Sequence, residues 1–418
     1  MSGTTDGAGR PMEAVSWADE LADELDQRLA DDDAALVAAY PGQRAERQPV
    51  HTVYIPADRF DATSVADWGQ QARDALAPYS VGELAQALSL DASLVEELLP
   101  RVRTKLETEP IEDLRVDFED GYGTRPDAQE DADVVAAARA LAGGDRPPYF
   151  GIRFKSFEQP TRRRGLRTLA LFLGTLAEGD GLNLTLPKVT SVGQVEAMVL
   201  ACERLEQRHG LPRLRFEIQV ETPQSILGAD GTALVARMIH AAQGRCSGLH
   251  YGTYDYSASC GIAAAYQSME HPAADHAKAV MQAAAANTGV FVSDGSTNVL
   301  PVGSREAVLA AWALHARLVR RSLERGFYQG WDLHPAQLPT RFLATYAFYR
   351  SGLPAAASRL RAYVEGAASG YLDEPATAAA LAGFVLRGTE CGAVSSDEIG
   401  ALIGVDLDRL AVLARRSR

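Results

Sequence analysis

The chain has 418 residues, 46% hydrophobic and 23% charged, with 41 basic against 55 acidic residues and a formal net charge of −14. Such a composition excludes a disordered chain, which is too poor in apolar residues to build a core. It also argues against a nucleic-acid binder, whose electrostatic footprint is basic. An anionic substrate stays compatible, because local arginines or a metal ion reverse the field within one cleft.

Cys202, Cys246, Cys260 and Cys391 are scattered and form no CxxC pair. Neither a zinc ribbon nor a disulfide framework is expected, and reduced thiols in a cytoplasm fit this usage. Residues 1–10 lack the basic start and apolar run of a signal peptide, and are expected to be disordered. No stretch approaches the ~18 uninterrupted apolar residues of a membrane span.

In chain order, residues 13–40 read as an acidic helix from their three-to-four apolar spacing, broken by Pro41 and Gly42. Eight short apolar runs follow: 51–60, 114–123, 149–157, 182–189, 214–222, 246–256, 288–296 and 328–335. Most are separated by segments of helical periodicity, such as 191–210. Strands alternating with helices predict βαβ units, a parallel sheet and, with eight strands, a closed (β/α)8 TIM barrel. An open doubly wound sheet would need a phosphate-binding glycine fingerprint after its first strand, and VYIPADRF has none. Residues 1–50 read as an N-terminal helical extension and 51–353 as the barrel, with an insertion at 61–110 carrying two helical patterns. Residues 354–418 read as a wholly helical appendage able to close over a barrel mouth.

Charged residues gather at the C-terminal ends of the strands: Glu119 and Asp120, Arg153 and Lys155, Lys188, Glu221, Asp255, Asp294 and His334. In a (β/α)8 barrel that end carries the active site. Glu221 and Asp255 end consecutive strands. Two such carboxylates can converge on Mg²⁺, or each can cap the helix that follows. The turn at 252–255 offers backbone N–H groups of Gly252, Thr253 and Tyr254 to a substrate carboxylate. Arg162, Arg163, Arg164 and Arg167 form a basic run that is either a solvated helix face or a phosphate site. Lys188 could form a Schiff base, but a structural or electrostatic role is preferred.

Seven segments carry a family resemblance in this order: VYIPADRF, DFEDGYG, GIRFKSF, LPKV, QVETPQSIL, GLHYGTYDYSASCG and GWDLHPAQL. Together they resemble the citrate lyase β-subunit and malyl-CoA lyase family within the HpcH/HpaI aldolase group, and two of them also resemble malate synthases. The resemblance spans about residues 50–340 and is specific for the superfamily, not for a substrate. It implies Mg²⁺, with Mn²⁺ as an alternative, held by Glu221 and Asp255. It implies that Arg153 stabilises an enolate and that Glu119 and Asp120 hold metal waters or Arg153. His334 would be a hydrogen-bonded residue at the rim rather than a base. A weaker match, Gly370 to Pro375, implies that Asp373 transfers a proton, from its own or a neighbouring subunit, or else caps a helix. DFEDGYG has no histidine, which favours the lyase and synthase branch.

The expected function is a Mg²⁺-dependent carbon–carbon lyase or synthase acting on a 2-oxo acid or hydroxy-acyl-CoA, in a homo-oligomer. A CoA-independent Mg²⁺-dependent aldolase is the alternative, and a non-catalytic homologue is the third.

Overall fold

A computed structural model describes residues 9–144, 146–176, 181–366, 374–414, 416 and 417. Most of the expectation of disorder at 1–10 therefore falls outside the described residues. Eight strands form one parallel sheet: β1 His51–Pro56, β2 Asp113–Asp117, β3 Tyr149–Arg153, β4 Asn183–Leu186, β5 Arg215–Val220, β6 Cys246–Tyr251, β7 Phe291–Ser293 and β8 Gly330–Asp332. Neighbours in sequence are neighbours in space, and β8 pairs with β1. A parallel bridge between Ser293 and Gln329 closes the ring. The fold is the expected (β/α)8 barrel: seven of the eight apolar runs contain one of its strands, and the run 114–123 begins one residue into β2.

The α-helices among the described residues are α1 Gly9–Ala39, α2 Ser64–Leu76, α3 Val81–Leu88, α4 Ala92–Thr108, α5 Asp127–Gly143, α6 Arg162–Leu176, α7 Val192–His209, α8 Pro223–Ile226, α9 Leu234–Ala241, α10 Thr253–Ser259, α11 Pro272–Ala285, α12 Arg305–Glu324, α13 Leu338–Glu365, α14 Pro375–Glu390, α15 Ser396–Ile403 and α16 Leu407–Leu413. Local chemistry starts several of them. Ser80 with Glu83, Ser191 with Gln194 and Ser395 with Glu398 each form a reciprocal capping box, satisfying two otherwise unpaired N–H groups at each helix start. The insertion holds three helices where two patterns were read: those two are α3 and α4, parted by the left-handed Ser89, and α2 is the additional one.

The appendage is not wholly helical: Arg416–Ser417 pairs in parallel with Gln43–Arg44 just ahead of β1. Its described part packs on α13 and on the barrel's N-terminal end, where Arg47 donates to the Glu390 carbonyl at 3.4 Å. It does not cover the C-terminal mouth. No helix among the described residues is long and apolar enough to cross a membrane.

The bore is polar. β2 reads Asp-Leu-Arg-Val-Asp, so its period of two sends Asp113, Arg115 and Asp117 inward and Leu114 and Val116 toward the helices. Arg115 donates to both Glu217 oxygens, at 3.1 and 2.9 Å, and to Thr185 at 3.0 Å, and it pairs with Asp113. Trp331 donates to His250 Nδ1 at 2.9 Å, which leaves the proton on Nε2 for Glu217 at 2.8 Å. Burial alone would raise the Glu217 pKa, but Arg115 and His250 hold it down to about 2.

Candidate metal and substrate site

The chemistry-bearing side chains meet at the C-terminal mouth. Glu221 follows β5 and is buried. Its Oε1 accepts the Lys188 backbone N–H at 2.7 Å, and its Oε2 accepts Gln219 Nε2 at 2.5 Å. Lys188 presents that N–H from a left-handed conformation, φ 50°, uncommon outside glycine. Gly252 leaves room for the carboxylate, since a Cβ there would stand 2.5 Å from Glu221 Cβ and 3.0 Å from Oε2. Asp255 lies four residues beyond β6, in the first turn of α10 rather than at a strand end. Neither carboxylate is a helix cap: the N-cap residues of α8 and α10 are Thr222 and Gly252, with no side-chain cap bond.

Oxygens of Asp120, Glu221 and Asp255 lie within 4.8 Å of one another. An octahedral Mg²⁺ shell at ~2.0–2.1 Å separates its oxygens by roughly 3 to 4 Å, so a small closure would accommodate the ion. Burial pushes the Glu221 carboxyl up to about 8, with Glu119 and Asp255 adding to the push and Lys188 and Arg153 opposing it. A buried Glu119 oxygen, Oε2, has no hydrogen-bond partner. Three convergent carboxylates, one of them destabilised as an anion, fit a hard cation.

Lys188 supplies positive charge at the same place. Its Nζ reaches Glu119 at 2.8 Å, Asp120 at 3.0 Å and Asp255 at 2.7 Å. Burial opposes its charge, yet Glu221, Glu119 and the bond to Asp255 hold its pKa above the ordinary lysine value. A lysine kept protonated is a point charge, not a Schiff-base nucleophile.

Arg153, at the end of β3, is buried with its Nε and Nη2 on the two Asp117 oxygens, both at 2.7 Å. Its Nη1 has only long contacts, 3.4 Å to Gln219 and 3.4 Å to Glu119. The guanidinium lies 4.7 Å from the Tyr54 ring centroid. One edge is therefore locked, and the other makes only these long contacts.

A family described as a domain of unknown function, DUF6986, matches residues 29–418. The chain belongs to that family. No curated protein matches it. Among solved structures, a citrate lyase from Burkholderia xenovorans LB400 is 18% identical with a TM-score of 0.59, covering 85% of this chain and 96% of that one. A native malate synthase from Haloferax volcanii at 3 mM glyoxylate is 13% identical with a TM-score of 0.47, covering 72% and 76%. Its pyruvate/acetyl-CoA ternary complex is 14% identical with a TM-score of 0.47, covering 84% and 82%. At such identities what the citrate lyase shares with this chain is the barrel fold, in line with the resemblance carried by the sequence motifs.

In this DUF6986 protein the structure separates the strand-end charges. Glu119, Asp120, Arg153, Lys188, Glu221 and Asp255 converge. Lys155 instead bonds the Phe118 carbonyl and Glu130. Asp294 is buried against Lys278 and Ser322. His334 Nδ1 accepts the Ala336 N–H at 3.1 Å and starts a short 3-10 turn. Gly252 N–H is used on the Val220 carbonyl, and Thr253 Oγ1 is buried without a partner. Tyr254 Oη accepts the Asn298 N–H at 2.6 Å, tying α10 to the loop after β7. In the basic run, Arg164 and Arg167 are held by Asp131 at 2.7 and 2.5 Å, and Arg162 donates to the Phe157 carbonyl. Arg163 is exposed.

Asp373 lies outside the described residues, and the cap of α14 is Glu374. Sequence reasoning passed over Asp117 and Gln219. Each stands two residues before a named acid, Glu119 or Glu221, and the strand period of two was the signal for both.

Proposed function

We propose that the mouth is the active site of a Mg²⁺-dependent enzyme that makes or breaks a carbon–carbon bond beside a carboxylate. The observation that carries this is the convergence of Asp120, Glu221 and Asp255 within 4.8 Å, next to a half-free Arg153. Asp120, placed among the outer partners by the motif resemblance, joins Glu221 and Asp255 as a proposed ligand. A bound Mg²⁺ would polarise the carbonyl of a 2-oxo acid and favour its enolate. Arg153 Nη1 binds a carboxylate or enolate oxygen while Asp117 keeps the guanidinium plane fixed. Lys188 adds a fixed positive charge through Glu119, which it retains if a metal takes Asp120 and Asp255. Thr253 Oγ1 and the first turn of α10 are proposed to face the substrate carboxylate.

Asp373, outside the described residues, remains the proposed proton-transfer group, supplied by its own or a neighbouring copy.

The proposed substrate is a 2-oxo acid or hydroxy-acyl-CoA. The engagement of Arg164 and Arg167 by Asp131 leaves less of the basic run for a CoA phosphate and supports the second reading, a CoA-independent aldolase. A thermal-shift panel crossing Mg²⁺ with glyoxylate, pyruvate, oxaloacetate and acyl-CoAs tests both. Ligand at 100 times its Kd stabilises by about 2.7 kcal/mol. A shift with acyl-CoA supports the lyase or synthase, and a shift with 2-oxo acids alone supports the aldolase. No Mg²⁺-dependent shift with any of them would refute the proposal.

A further inference from the structure

Helix α1 is 31 residues long, and every residue from 15 to 38 is exposed. Eight of the nineteen large hydrophobic side chains exposed among the described residues fall between 15 and 40: Val15, Trp17, Leu21, Leu25, Leu29, Leu36, Val37 and Tyr40. Scattered apolar side chains need no explanation, but a set that shares one helix face marks an interaction surface, and four of the eight, Val15, Leu25, Leu29 and Leu36, share one, with Leu21 beside it and Trp17 and Val37 on the outer side. A lone helix of this kind also draws little stability from water, because helices in proteins are stabilised mainly by packing of an apolar face.

The spacing names the partner. From Val15 the seam advances in alternating steps of three and four. Val15, Ala22, Leu29 and Leu36 take one set of positions, the a positions of a heptad repeat. Ala18, Leu25, Asp32 and Ala39 take the d positions. The seam runs for 25 residues, or about 37 Å at 1.5 Å per residue. Most of the acidity lies off it: Glu20, Asp23, Glu24 and Asp31 fall on the outer positions, in water. Asp19, Asp26 and Asp33 fall at e. In an antiparallel pair these e positions would face one another, aspartate against aspartate. In a parallel pair each e position faces a g position of the other helix, which sets Asp26 against Leu21 and Asp33 against Arg28.

We infer that α1 is the dimerisation element of this protein, forming a parallel two-stranded coiled coil with α1 of a second copy. The Tyr40 ring stands edge-on to His240 at 5.6 Å, which anchors the end of the stalk to α9. The pair therefore carries its two barrels at the same end. Leu36 remains 60% exposed beside an open groove of about 930 Å³ between α1 and α14, so the barrel does not obstruct the seam there. Asp32 is the polar core residue, setting register at a cost in affinity.

Sedimentation velocity on the full chain tests this at about 100 µM, where mass action populates even a weak dimer. The expected result is a dimer that Asp32→Leu tightens and that Leu25→Glu/Leu29→Glu converts to a monomer of unchanged melting temperature, because neither leucine touches the barrel. Orientation is read by Leu25→Cys in a Cys260→Ser background, since Cys260 is the exposed native thiol. The parallel seam brings the two introduced thiols together, and mild oxidation links the chains. A monomeric wild type, or an oligomer that survives the double variant, overturns the inference. A dimer that does not cross-link overturns the parallel arrangement.

Discussion

Asp117→Asn removes one negative charge from beneath Arg153 while keeping the size of the side chain. Asp117 accepts four hydrogen bonds: two from Arg153 at 2.7 Å, one from the Glu119 N–H at 3.0 Å and one from the Gly121 N–H at 2.8 Å. Asparagine can keep the pair on one oxygen. Its amide nitrogen would then oppose two donors, Arg153 Nη2 and Gly121 N–H. A charge-assisted bond contributes about 1.5–3 kcal/mol and a neutral one about 1 kcal/mol, and breaking a buried ion pair costs about 3–5 kcal/mol in all. Unfolding entropy near 2.1 cal/mol/K per residue gives about 0.9 kcal/mol/K for a chain of this size, so the expected loss is roughly 3–6 °C in Tm. Differential scanning calorimetry measures that loss. Mg²⁺ titration of the variant should show near-normal affinity, because Asp117 is not a proposed ligand. The further stabilisation by a 2-oxo acid should fall away, because Arg153 is no longer held. A Tm within about 1 °C of wild type, too small for a broken buried pair, would refute the claim that this pair fixes the guanidinium. So would a variant that keeps 2-oxo acid binding.

Glu221→Gln should abolish calorimetric Mg²⁺ binding without unfolding the barrel, and Asp120→Asn and Asp255→Asn should weaken it. Undiminished binding removes that residue from the site. Gly252→Ala would drive a Cβ against Glu221, costing about 1–3 kcal/mol of stability and lowering Mg²⁺ affinity. Equal affinity by titration would mean that Glu221 can retreat without consequence. Asp373→Asn should retain melting temperature and Mg²⁺ binding while kcat falls by ~10²–10⁴-fold, the usual contribution of a positioned acid–base group. Normal turnover would remove Asp373 from the mechanism.

The barrel was legible because eight short strand-like runs alternate with segments of helical periodicity, even though β2 and β5 alternate apolar with charged or polar residues. The mouth was legible only in part. Position along a strand tells which end a residue occupies, but not which partner waits for it. Asp294 reads like Glu221 in the sequence, yet Lys278 of α11 and Ser322 of α12 claim it in the fold. Asp332, which ends β8, is likewise claimed, buried between His51, His315 and Arg341. The basic run was ambiguous for the same reason, since Asp131 lies a full βα unit earlier. Asp117 escaped notice because the conspicuous acids follow it, although its position two residues before Glu119 puts it on the same inward face.

The charged bore has a consequence for how the chain reaches its native state. Arg115 of β2, paired with Asp113 on its own strand, finds a second counter-charge on β5, and Glu217 there is completed by His250 of β6, which Trp331 of β8 orients. A fragment ending after β4 would enclose Arg115 with Asp113 and Thr185 but without Glu217. A fragment starting at β5 would enclose Glu217 with His250 alone. Each half would shelter ions that water solvates better, and that penalty disappears only when the ring shuts. Such a barrel resists being split into complementing halves, and its unfolding should show no populated half-barrel even though eight repeated units could in principle melt one by one.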